Sequence, residues 1–186
     1  QDRRPQPEDD EKASRSMNDK FLYFNQVLAG TLSEEERERE RLRAAIRGTY
    51  RNSAVIVIQK GGKEAVEDPL EEARAEQRSL VFYQNFQQKL KKHCSGLGLE
   101  WELIYLGYKT YCCFLDLSEE CRSSVMYQYL TGFVSACYRI CTDEEPDYRI
   151  GVSNICIGTD ALRQAYQQAR LMIKSCFYEK DRIAYY

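Results

Sequence analysis

One stretch constrains the fold of this chain more than any other. Ser53-Ala54-Val55-Ile56-Val57-Ile58 carries no charge, and its last four residues are all β-branched aliphatics. A strand with one wet face alternates apolar and polar residues. An unbroken run of this length belongs to a buried strand. Pro69 then suits a first helical position, and the segment through His93 has no glycine and no internal proline. Its apolar residues include Leu70, Ala73, Val81, Phe82, Phe86 and Leu90, which predicts one long helix ending before Ser95-Gly96. Leu99–Tyr105 and Thr110–Leu117 read as strands about Leu106-Gly107-Tyr108-Lys109, a hairpin signal. Ser118, with Glu119 and Glu120 behind it, predicts a helix cap, and Met126, Leu130, Phe133, Val134, Cys137 and Cys141 form the stripe of that helix. Asp143–Asp147 holds Pro146 and reads as a loop. Tyr148–Ile157 reads as a strand. Thr159-Asp160 opens a helix with Leu162, Ala165, Tyr166, Ala169, Met172, Ile173 and Cys176 inside, and Arg182–Tyr185 is a last short strand.

The order after residue 50 is therefore β-α-β-β-α-β-α-β. Right-handed crossovers and one central hairpin predict an α+β fold, a mixed sheet with helices packed on it. The first six elements have the order of a ferredoxin-like palm. A helical arm precedes it. Residues 1–15 hold two prolines and many charges and read as a charged linker. Residues 16–48 read as a two-helix arm. In its first helix Met17, Phe21, Phe24 and Leu28 recur at the spacing of a helical seam, which predicts a dimerisation or signalling surface. Gly30 ends that helix. Ser33-Glu34-Glu35-Glu36 is a capping-box pattern opening the second. The palm domain is expected over residues 49–186.

The 27 Lys and Arg residues nearly balance 29 Asp and Glu, for a formal charge of −2. A domain that grips nucleic acid through a strong basic field is not expected. No apolar run reaches the roughly 20 residues that span a bilayer. Gln1–Lys20 is too polar for a secretory leader. Eight cysteines stand beside one histidine. They fall within apolar, regularly patterned segments. Adjacent Cys112 and Cys113 would point to opposite faces of a strand, and Cys137 and Cys141 would share one face of a helix. With no CxxC pair, the expectation is reduced core thiols in a cytoplasmic protein, with no metal bound.

A palm can host metal-dependent phosphoryl transfer, which needs carboxylates at the end of the first strand and at the central hairpin. Those places hold Ile58-Gln59-Lys60 and Leu106-Gly107-Tyr108-Lys109. Lys109 could meet a phosphate, but a lysine at a turn is an ordinary surface residue. Gly61-Gly62-Lys63-Glu64 lacks P-loop spacing and reads as a flexible turn. His93 beside two lysines suits a helix C-terminus rather than a general base. Cys94 has no nucleophile motif around it. No catalytic residue, cofactor site or metal site is expected.

Residues 150–186 carry a family resemblance. Ile150-Gly151-Val152-Ser153-Asn154, then Leu162, Ala165, Tyr166 and Ala169, then Phe177-Tyr178, Lys180, Ile183 and Tyr185 resemble a stretch common in bacterial transcription regulators. The pattern resembles the degenerate GGDEF-like domain in the middle of AraC-type two-component response regulators. A similar domain occurs in sugar-diacid and purine-catabolism regulators. Phe21-Leu22, Leu28-Ala29-Gly30, Ser33-Glu34-Glu35 and Val55–Ile58 resemble the region after the receiver domain of such proteins. The resemblance spans about residues 20–186. It implies a receiver or sensor before this segment and helix-turn-helix units after it, which alone would contact DNA. It places this module between them. The seam, the palm order and the missing metal ligands add the expectation of a non-catalytic, nucleotidyl-cyclase-like palm that relays signals within a homodimer, with no membrane contact in this segment. An active diguanylate cyclase would carry a GG[DE]EF hairpin and an aspartate at the end of the first strand, and this chain departs at both. A small-molecule or nucleotide sensor built on the same fold is the alternative, and an active nucleotidyl cyclase a more distant one.

Overall fold

A computed structural model describes residues 7–60, 69–120, 122–144, 147–179 and 182–186. The Gly61–Glu64 motif lies outside them, as does Cys121. The chain divides into two compact units, Gln1–Arg47 and Gly48–Tyr186.

The first unit holds α1 (Pro7–Ala29) and α2 (Glu34–Arg43), which pack on each other. The backbone of residues 7–15, read as linker from composition, is helical. Pro7 takes the first helical position, where its missing N–H costs nothing, and the acids that follow it in sequence suit the positive end of the helix dipole. Gly30, at a φ of +70°, closes α1. The Gly30 and Thr31 N–H groups donate to the Val27 and Gln26 carbonyls at 3.1 and 3.2 Å, a Schellman motif. The capping box at α2 is complete. The Glu36 N–H donates to Ser33 Oγ at 3.2 Å, and the Ser33 N–H donates to Glu36 Oε2 at 2.9 Å.

The second unit follows as β1 (Asn52–Lys60), α3 (Pro69–Cys94), β2 (Glu100–Gly107), β3 (Thr110–Asp116), α4 (Ser123–Glu144), β4 (Tyr148–Val152), β5 (Cys156–Ile157), α5 (Ala161–Glu179) and β6 (Ile183–Tyr185). The sheet runs β2-β3-β1-β4-β6, with β5 beside the start of β1. Every adjacent pair is antiparallel except β4 and β6, which the α5 crossover makes parallel. The fold is α+β with a mixed sheet.

β1 is central and buried on both faces. Ala54, Ile56 and Ile58 join Cys113, Leu115, Phe86, Leu90, Phe133 and Cys137 in the core beneath α3 and α4. α5 covers the opposite face, packing on β1 and β4. Gly151 allows this approach. A β-carbon there would overlap the Ala169 carbonyl and lie 2.7 Å from the Ile173 nitrogen. Ser153 explains why one expected strand is two. Its Oγ accepts from the Val55 N–H at 2.9 Å and donates to the Asn154 carbonyl at 2.7 Å, so the chain bends before β5.

Ser118 does not cap α4, which starts at Ser123. Its hydroxyl and N–H both donate to Asp116 Oδ1, the latter at 3.0 Å, while Oδ2 of Asp116 accepts from the Thr49 N–H at 2.8 Å. A nearby carboxylate outcompetes an unformed helix end for this hydroxyl. The seven described cysteines are buried, and no disulfide joins any two of them.

Candidate functional site

The end of β1 and the β2–β3 turn meet at one edge of the sheet. The Lys60 N–H donates to the Lys109 carbonyl at 3.1 Å, so two cationic residues share that edge. Along α3, Arg78, Ser79, Phe82 and Asn85 recur at three and four residues and face it. Together these residues line a hollow of about 440 Å³, with Tyr111 and Tyr148 at its inner wall.

That wall is aromatic. Phe82 stacks on Tyr148 with ring centres 4.8 Å apart and sits 5.0 Å from Tyr111, which lies 5.1 Å from Tyr105. Hydrogen bonds fix the phenols. Tyr111 donates to the Ser79 carbonyl at 3.1 Å, and Tyr105 donates to Glu76 Oε2 at 2.9 Å. Burial pushes the Tyr111 phenol up to about 12 and raises that of Tyr105 as well. Both stay protonated at neutral pH, so they donate hydrogen bonds and do not abstract protons.

Lys60, Lys109 and Arg78 give this hollow a positive rim, with Glu76 beside it as the Tyr105 acceptor. The described lining thus sets cationic side chains beside a flat aromatic surface. Among the described residues no group of three or more His, Cys, Asp or Glu side chains could hold a metal ion.

Other singled-out residues lie elsewhere. His93 is exposed in the last turn of α3. Cys94 is buried, and burial pushes its thiol up to about 11, with Cys113 adding to the shift. Phe24 is fully buried, Leu28 half-buried, and Met17 and Phe21 are exposed. Tyr23 and Val27 join Phe24 among the buried residues of α1. The side chains of Phe177, Tyr178 and Lys180 lie outside the described residues. The sequence alone does not mark Arg78, Phe82 and Tyr148 as site residues. The only signal for them was an aromatic in the α3 stripe one turn beyond Arg78 and Ser79.

No protein-family model matches this chain, and no curated protein matches it. Among the described residues no helix is long and apolar enough to cross a membrane.

Proposed function

We propose that residues 48–186 form a ferredoxin-like, nucleotidyl-cyclase-like palm that acts as a non-catalytic relay. Its setting is a bacterial transcription regulator of the AraC-type two-component class, between a receiver or sensor and a DNA-binding domain. The strand order β2-β3-β1-β4, each pair antiparallel, supports the palm. The observation that carries the loss of catalysis is the main-chain bond between Lys60 and Lys109. It brings lysines to the two places where metal-dependent phosphoryl transfer needs carboxylates. Incubation with GTP or ATP and Mg²⁺ or Mn²⁺ is expected to leave the nucleotide unchanged. Any cyclic product resolved by chromatography overturns the reading.

The arm is the pairing surface in this proposal. Met17 and Phe21 are exposed four residues apart on α1, and a second copy of the chain would cover them. Sedimentation is expected to show a concentration-dependent dimer.

The positive, aromatic-walled hollow favours a second reading, a sensor of a small anionic ligand. A thermal-shift panel of metabolites tests it, since a specific ligand raises the melting temperature.

A further inference from the structure

The opposite face of the same hairpin carries a second hollow, of about 390 Å³, between the β2–β3 turn and α5. Tyr166, Arg170 and Lys174 line it from α5. They recur every fourth residue, so they form one stripe of the helix. The Arg170 guanidinium sits 5.7 Å over the Tyr166 ring, which holds a planar donor group against an aromatic face. Arg170 and Lys174 are exposed, and no carboxylate stands among the described residues of the lining.

The turn above this stripe has an unusual backbone. The β2–β3 register slips between Tyr105 and Gly107, leaving Leu106 as a bulge. Gly107, Tyr108 and Lys109 then take φ values of +83°, +48° and +57°. Positive φ suits glycine at the first position. At the next two it places side-chain-bearing residues in a disfavoured conformation. Packing does not explain the choice of residue, because Tyr108 is 92% exposed. The bulge and the strained turn place an unpacked aromatic ring at the rim of a cationic hollow.

We infer that this hollow binds a small organic phosphate monoester bearing a planar ring. The dianion would lie on Arg170 and Lys174, and the ring against Tyr108 and Tyr166. A phosphate fits better than a single carboxylate. Cations on successive helical turns match two negative charges, and the arginine fork takes two oxygens at once. The site is on the other sheet face from the Lys60–Arg78 hollow, and it stands whether or not that hollow binds anything.

Phenyl phosphate is the probe, with inorganic phosphate and benzoate as separate arms. Amide NMR of the full chain is followed at residues 106–110 and 166–174. Saturable shifts at both segments are expected with phenyl phosphate, and weaker binding in the other two arms. Arg170→Gln and Lys174→Gln should each weaken phenyl phosphate about tenfold, the loss of one charge-assisted contact. Lys174 is exposed, so its variant should unfold as the parent does, while Arg170→Gln also loses the contact with the Tyr166 ring and should shift its curve only slightly. Three results would overturn the inference. One is no saturable shift by ~10 mM probe. Another is unchanged affinity in the double variant. The third is shifts confined to residues around Lys60 and Arg78. Equal affinity for inorganic phosphate and phenyl phosphate would refute the part assigned to the ring.

Discussion

Gly151 and Ala169 are joined by close approach. The main chain of α5 crosses β4 where only a hydrogen atom fits, and a β-carbon on Gly151 would also meet the Ile173 nitrogen at 2.7 Å. Main chain on both sides cannot step aside as a side-chain tip can. Gly151→Ala should therefore destabilise the protein by about 3 kcal/mol in urea unfolding. Gly132 is the control. It lies exposed within α4 with nothing within 4 Å of its own added β-carbon. Gly132→Ala should stabilise by about 0.5–1 kcal/mol. Equal effects at the two positions would mean that α5 does not sit this close to β4.

Phe21 and Phe24 should separate pairing from folding. Phe21 is 37% exposed and Phe24 fully buried. Phe24→Asp should cost about 3 kcal/mol or more, because it places a carboxylate where an aromatic ring is packed. Phe21→Asp should abolish the dimer in sedimentation and cost far less than Phe24→Asp in unfolding measured at concentrations where both proteins are monomeric. A dimer that survives Phe21→Asp would remove α1 from the proposed interface.

Asp116 ties the segment before β1 to the loop after β3 through Thr49 and Ser118. Asp116→Ala strips the acceptor from these donors and should cost about 2 kcal/mol. Ser118→Ala removes one donor to Asp116 and the acceptor of the Asn52 N–H at 3.1 Å, and should cost less. Circular dichroism should show α4 intact in Ser118→Ala, since that hydroxyl serves Asp116 and not the helix end.

Alkaline pH should weaken the fold. Burial pushes Tyr83 and Tyr111 up to about 12 and Cys94 up to about 11. Each group is neutral when protonated, so the folded state keeps its protons longer than the unfolded chain does. The contribution is complete below the unfolded values, near 9 for the thiol and 10 for the phenols. It is lost as pH rises from there toward 11 and 12. Urea midpoints at pH 7 and 8 should agree apart from surface effects, then fall above pH 9. Tyr83→Phe should flatten part of that fall, although it also removes the 2.9 Å bond to the Leu103 carbonyl.

The turn chemistry at Tyr108-Lys109 gives a fifth test. Both residues have positive φ, the pattern that Asn-Gly fills most readily in a two-residue hairpin. Replacing the pair with Asn-Gly should stabilise the protein by about 1 kcal/mol. The same change should weaken phenyl phosphate binding, a stability gain set against a functional loss.

Local signals were readable wherever one segment decided its own structure. The Val55–Ile58 run reads as a buried strand, Gly30 as a helix stop and Ser33 with Glu36 as a capping box, because each acts over a few residues. Ser118 misled because two local partners competed for one hydroxyl, and Asp116 lay closer than the helix. Pro7 reads as a linker residue by composition, which hides its suitability for a helix start. The hollow at the hairpin was not readable as a site. Arg78, Phe82 and Tyr148 meet only after α3 and β4 have been laid on the sheet, and nothing in their local spacing ties them together. The Gly151-Val152-Ser153 motif was legible as a pattern, but its reason is steric and hydrogen-bonded, with Gly151 under α5 and Ser153 on Val55.

The central position of β1 also sets a timetable for synthesis. Its neighbours come late, since Ile58 pairs with Tyr111 on one side and Ile150 on the other. At ribosomal speed the second partner follows on the order of ten seconds after the first strand is made. For the first part of that interval the most apolar segment of the chain has no partner, and until β4 is made one of its two edges stays unpaired. The nascent protein should therefore depend on chaperones over this window, and slowing translation between β3 and β4 should raise its aggregation more than slowing it after β6.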